Sequence, residues 1–81
     1  MLKNDKLILN YLKKIIFGKK IPKNFLNLNI KNYNEIDSLK IFKILITIES
    51  KFGIKFKDNE IFSKNFNTLK GILELIKKKI R

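Results

Sequence analysis

Three stretches of this chain repeat their apolar residues at helical spacing, and no segment alternates long enough to pair as a hairpin, which restricts it to a helical bundle. Within residues 2–17, Ile8, Tyr11, Leu12, Ile15 and Ile16 follow the i, i+3, i+4, i+7, i+8 pattern, with Lys6, Asn10, Lys13 and Lys14 on the other face. Gly18 is placed to end that helix in the left-handed conformation. A basic amphipathic helix of this kind could lie on a membrane, but more often it forms one wall of a bundle. In residues 38–52 the polar residues Lys40, Lys43, Thr47, Ser50 and Lys51 share one narrow arc, and Leu39, Ile41, Phe42, Ile44, Leu45, Ile46, Ile48 and Phe52 cover the rest. That apolar arc is wider than a one-sided surface helix needs, so the helix is either packed on two sides or offers apolar residues to a partner. Asn67 or Thr68 caps a last helix whose stripe is Leu69, Ile72, Leu73, Ile76 and Ile80. Between them, Gly53 stops the second helix, Ile54 and Phe56 form an extended connector, and Asp58 caps a brief turn that buries Ile61 and Phe62. The expected class is all-α: three longer helices, one short helix and a long first loop.

That first loop, residues 19–37, holds Pro22, several asparagines and the scattered apolar residues Ile21, Phe25, Leu26, Leu28, Ile30, Tyr33 and Ile36. A connection of this length is unusual in a small domain unless it has a task or is pinned down, and the spaced apolar residues favour pinning across the bundle.

Composition removes most self-contained chemistries. At 81 residues the chain has room for one domain, 1–81, with one small core. It has no cysteine and no histidine, so disulfides, thiolate nucleophiles, histidine acid–base pairs and the usual zinc ligands are absent. Its three Asp and four Glu are scattered, which argues against an enzyme. No run approaches the ~20 apolar residues of a membrane span, and the N-terminal segment lacks signal-peptide features, so a cytoplasmic protein is expected. The 19 basic residues against 7 acidic give a net charge of +12, which raises nucleic acid or an anionic membrane as partners. The basic residues are lysines except Arg81, whereas base reading and bidentate phosphate recognition favour arginine. Lysine, asparagine and isoleucine also share A- and T-rich codons, so genome composition alone could produce such a surface.

The serine in "YNEIDSLKIFKIL", residues 33–45, sits where the loop gives way to the second helix. Ser and Asp both serve as helix caps, so "DS" at that point could be purely structural. The order of a helix, a long loop, "IDSL" opening a second helix, then "IESKFGIKF", a short third helix and "NTLKGILELI" resembles the acyl carrier protein family across nearly the whole chain. The resemblance implies that Ser38 carries a covalent 4′-phosphopantetheine installed by a separate phosphopantetheinyl transferase. It further implies that Asp37 contributes to transferase recognition and that Leu39 completes the motif, fixing the serine's position. The helix start suits an attached phosphate, because its unpaired N–H groups and partial positive charge favour an anion. The missing cysteine is then intelligible, since the working thiol belongs to the cofactor.

The implied function is a non-enzymatic carrier, a monomer binding no nucleic acid and inserting in no membrane. It holds an acyl or related carboxylic group as a thioester for acyl-loading and acyl-using enzymes, in fatty-acid synthesis or a specialised acyl pathway. The family's second helix usually displays carboxylates to basic patches on its partners. Here Lys40 and Lys43 stand in those places, Glu49 is the one carboxylate left on the helix, and Phe42 and Ile46 supply apolar contact area. Partner docking is therefore expected at Lys40, Phe42, Lys43, Ile46 and Glu49, with partners altered to match the charge. The alternative from another class is a basic helical module for nucleic acid or an anionic membrane surface, with Ser38 only a cap.

Overall fold

A computed structural model describes residues 3–33 and 36–80 of the chain. Leu2, with which the first predicted helix begins, and Arg81 lie outside the described residues. Among the described residues four α-helices follow in order: α1 Lys3–Phe17, α2 Ser38–Phe52, α3 Asp58–Ile61 and α4 Leu69–Lys79. There is no strand among the described residues, and the class is all-α as expected.

Each helix boundary has a local cause. Gly18 and Gly53 end α1 and α2 with φ of 67° and 65°, the left-handed region that side-chain-bearing residues rarely adopt. Thr68 caps α4, its hydroxyl accepting from the Gly71 amide at 3.1 Å. The short helix α3 is capped one residue earlier than the sequence suggests. Lys57 is the N-cap and Asp58 the first helical residue, with the Glu60 carboxylate reaching back to accept from the Lys57 amide at 2.7 Å.

The core is one cluster drawn from all the longer helices and from the loops between them. From α1 it takes Ile8, Leu12 and Ile16 of the predicted stripe, together with Leu9 and Phe17. From α4 it takes Leu69, Ile72, Leu73, Leu75 and Ile76, whereas Ile80, just past the helix end, is exposed. The long loop is pinned as expected. Ile30 and Ile36 are buried, Phe25, Leu26, Leu28 and Tyr33 pack against the cluster, and the Lys70 amide donates to the Leu26 carbonyl at 3.1 Å. A 3₁₀ turn at Ile30–Asn32 holds Ile30 inward, capped by Asn29. A second 3₁₀ turn, Lys64–Asn67, has no counterpart in the sequence reading and buries Phe66 completely, edge-on to Phe56 at 5.4 Å between ring centres. The expected burial of Ile61 and Phe62 is met only in part: Ile61 packs half-buried against the core, while Phe62, the C-cap, is 82% exposed.

Helix α1 packs on α4, and an ion pair between Asp5 and Lys77 at 2.8 Å joins the first turn of one to the last turn of the other. Where α1 meets α2, Tyr11 sits edge-on to Phe52 at 5.7 Å and under the Lys51 ammonium at 5.3 Å. Gly71 allows α4 to start tight against the preceding turn. A Cβ there would collide with the Asn65 backbone carbonyl.

Candidate functional site: the start of the second helix

The chain enters α2 through three residues with distinct tasks. Ile36 is buried, and its amide donates to the Tyr33 carbonyl at 3.0 Å, which fixes the loop end on the core. Asp37 is extended, with φ −94° and ψ 178°, and its carboxylate accepts from the Lys40 amide at 2.8 Å. Its carbonyl takes the Ile41 amide at 3.0 Å, the first bond of the helical ladder. Asp37 is therefore the N-cap, and Ser38 is the first residue inside the helix. The idea that Ser38 serves as the cap is corrected here. Its side chain is exposed, and among the described residues its hydroxyl makes no hydrogen bond.

The sequence carried a signal for this assignment. An apolar residue before the cap and another at the fourth helical position, here Ile36 and Ile41, form a hydrophobic staple around the cap between them. Both join the core cluster, Ile36 fully and Ile41 in part. Ile36 and Ile41, and not Leu39, are the apolar residues beside Ser38 that reach the core. Leu39 is 62% exposed because helical rotation turns it away from the side on which Ile44 and Ile48 are buried.

The exposed face of α2 departs from a two-sided packing arrangement. Leu39, Phe42 and Ile46 are 62%, 57% and 48% exposed, a run of large apolar side chains at i, i+3 and i+7 leading away from Ser38. Lys40 and Lys43 flank it, and together with Asp37 and Leu39 they line a shallow hollow beside the serine. Further along, Ile46, Thr47, Ser50 and Lys51 line a second hollow with Tyr11 of α1. Phe42, Lys43 and Ile46 are thus exposed on α2 and Lys40 is half-buried, with Lys40 and Lys43 sharing one hollow near the helix start.

Glu49 does not join them. Its carboxylate accepts from the Phe56 amide at 2.9 Å and lies 3.9 Å from the Lys55 ammonium, while its carbonyl accepts from Gly53 and Ile54. It clasps the turn after α2, so the expected docking role gives way to a structural one.

The same holds for other carboxylates. Asp5 pairs with Lys77, and Glu60 pairs with Lys79 at 2.9 Å while also accepting from the Lys57 amide. These contacts, the Lys57 amide bond first and Lys79 next, hold the Glu60 carboxyl below its ordinary value. Beyond Asp37, the outward face of α2 presents lysines and no free carboxylate. Among the described residues no cluster of acidic side chains is placed to hold a metal ion, and no helix is long and apolar enough to cross a membrane.

No protein-family model matches the chain, and no solved structure matches it. Among curated proteins it is similar to the "Acyl carrier protein homolog" of Mycoplasma genitalium, at 38% identity over an alignment of 61 residues. The alignment covers 67% of this chain and 67% of the relative. Identity at that level and over that share of both chains, on an all-helical fold, shows that the protein belongs to the acyl carrier protein family.

Proposed function

We propose that this protein is a single-domain, monomeric carrier of the cytoplasm, and that Ser38 is the attachment point for 4′-phosphopantetheine. The observation that supports this most directly is the division of labour at the start of α2. Asp37 does the capping, which leaves the adjacent Ser38 hydroxyl exposed at the positive end of the helix and with no hydrogen bond among the described residues. A serine needed as the cap would be expected to hold a backbone amide, and among the described residues this one holds none.

The residues present fit the group. Ser38 supplies the oxygen for a phosphodiester, and the partial charge of the α2 N-terminus together with Lys40 would stabilise its negative charge. Ile36 and Ile41 hold the helix start rigid, so the attachment point keeps one orientation toward partner enzymes. When bound, the cofactor supplies a thiol on a flexible arm, on which a carboxylic acid is held as a thioester. The protein itself does no bond-making in this reading. It has neither histidine nor cysteine, and the carboxylate next to Ser38 is occupied by the Lys40 amide, so a transferase must bring the base that activates the hydroxyl.

The test is incubation of the full chain with coenzyme A and a broad-specificity phosphopantetheinyl transferase, followed by intact-mass analysis. One phosphopantetheine unit is expected on the wild type and none on Ser38→Ala. Failure of several transferases to modify the wild type, or modification that persists in the alanine variant, removes Ser38 from the proposal.

A further inference from the structure

The surface around Ser38 has a charge that selects among partners. Among the described residues Asp5 pairs with Lys77, Glu60 with Lys79 and Glu49 with Lys55, while Asp37, which accepts from the Lys40 amide, is the one carboxylate at the start of α2. Asp58 and Glu74 belong to α3 and α4. The lysines of α2 form no ion pair among the described residues. Lys43 is exposed, Lys40 half-buried, and Lys51 lies over the Tyr11 ring, so none has its charge neutralised by a carboxylate among the described residues.

We infer that the face of α2 from Leu39 to Lys51 docks on an acidic protein surface, namely on enzymes whose entrance for the Ser38-borne group is bordered by Asp and Glu around an apolar depression. This rests on the reading of Ser38 as the attachment point. The apolar run Leu39, Phe42 and Ile46 supplies contact area that begins one residue from Ser38, and Lys40 and Lys43 border it. A basic surface placed there would meet like charges at contact distance, while an acidic one gains from each of them.

The relief of the face favours a protein over an anionic bilayer. Two hollows interrupt it, one beside Ser38 and one between Tyr11 and the Ile46–Lys51 segment, and these fit protruding side chains. A helix lying in a bilayer needs a continuous apolar face sunk about 5–10 Å, and α2 spends Ile44 and Ile48 on the core instead.

The experiment uses one phosphopantetheinyl transferase in two forms: one with a basic carrier-contact surface, and the same enzyme with that surface reversed to Asp and Glu. Initial rates of coenzyme A-dependent loading are measured for the full chain at low and high salt. The same measurements are made on the double variants Lys40→Glu/Lys43→Glu and Lys19→Glu/Lys20→Glu. The second pair changes net charge equally but lies in the loop after α1. At low salt the wild type should be loaded roughly tenfold faster by the acidic form, an advantage that shrinks as the Debye length falls below about 10 Å. Lys40→Glu/Lys43→Glu should invert the preference, and the loop variant should keep it. Loading of Ser38 at equal rates by both forms, or equal shifts from both double variants, overturns the docking surface while the carrier reading stands. No loading by either form removes both. Sedimentation with phosphatidylglycerol vesicles completes the set. If Lys40→Glu/Lys43→Glu abolishes vesicle binding, the loop variant retains it, and the transferase preference is unchanged in both, the face is a bilayer surface and the inference falls.

Discussion

Replacing Asp37 and Ser38 one at a time should separate capping from attachment, because the two residues are adjacent and both exposed but carry opposite burdens. Asp37 holds the Lys40 amide at 2.8 Å, so Asp37→Ala removes a cap and should cost about 1 kcal/mol, within a range of about 0.5–2. A domain of this size has roughly 4–12 kcal/mol of stability, at about 0.05–0.15 per residue, so the loss is measurable without unfolding the chain. It corresponds to a fall in Tm of about 4–8 °C per kcal/mol. Asp37→Asn keeps a side-chain acceptor and gives up only the charge at the helix end, about 0.3–1 kcal/mol. Ser38→Ala breaks no hydrogen bond seen among the described residues and places a better helix former in the first turn, so its Tm should match the wild type or rise slightly. Thermal melts followed by far-UV circular dichroism give all four values. Loading by a transferase gives the reciprocal order: abolished in Ser38→Ala, and retained in Asp37→Asn at a rate set by how far the transferase reads the charge. If Ser38→Ala destabilises the protein as much as Asp37→Ala, the serine is structural and the division of labour at the start of α2 is wrong.

Other substitutions probe contacts elsewhere in the fold. Gly71→Ala forces a methyl group onto the Asn65 backbone, and overpacking of this kind should cost about 1–3 kcal/mol, read as a lower urea midpoint at unchanged slope. Glu49→Ala strands the amide of buried Phe56 and should cost about 1–3 kcal/mol in the same titration, whereas Glu49→Gln keeps an acceptor and should cost less; neither should slow loading at Ser38. The Glu60 carboxyl is held below its ordinary 4.5 in the fold, so its contribution is complete above that value and is lost as the pH falls through the lower folded one. Melting curves from neutral to acid pH should therefore show a shallower decline for Glu60→Gln than for the wild type, and parallel declines would mean that the Lys57 and Lys79 contacts are not maintained in solution.

The helices themselves were legible in the sequence because periodicity is a local property. The stripes Ile8–Leu12–Ile16 and Leu69–Ile72–Leu73–Ile76 could bury their apolar residues only as helices, and Gly18 and Gly53 mark the ends of α1 and α2 by a conformational freedom that needs no neighbours. The candidate site was legible in the same way, as a short polar pair before an apolar helix, strengthened by the family likeness of the whole chain. Which of the two residues capped the helix was open, since Asp and Ser are equally suited; the burial of Ile36 against the core decided it by fixing where the turn begins. The fates of Phe62, Leu39 and Glu49 likewise depended on tertiary placement. Phe62 and Glu49 were settled by contacts seven or more residues away or by the end of a helix, neither of which a periodic pattern encodes. The outward face of α2 is the clearest case. Its apolar residues fill most of the helix circumference, so sequence alone could not tell a buried helix from one that presents Leu39, Phe42 and Ile46 to solvent. Only the arrangement of α1, α4 and the long loop, which together leave that side of α2 uncovered, made the difference between core and surface.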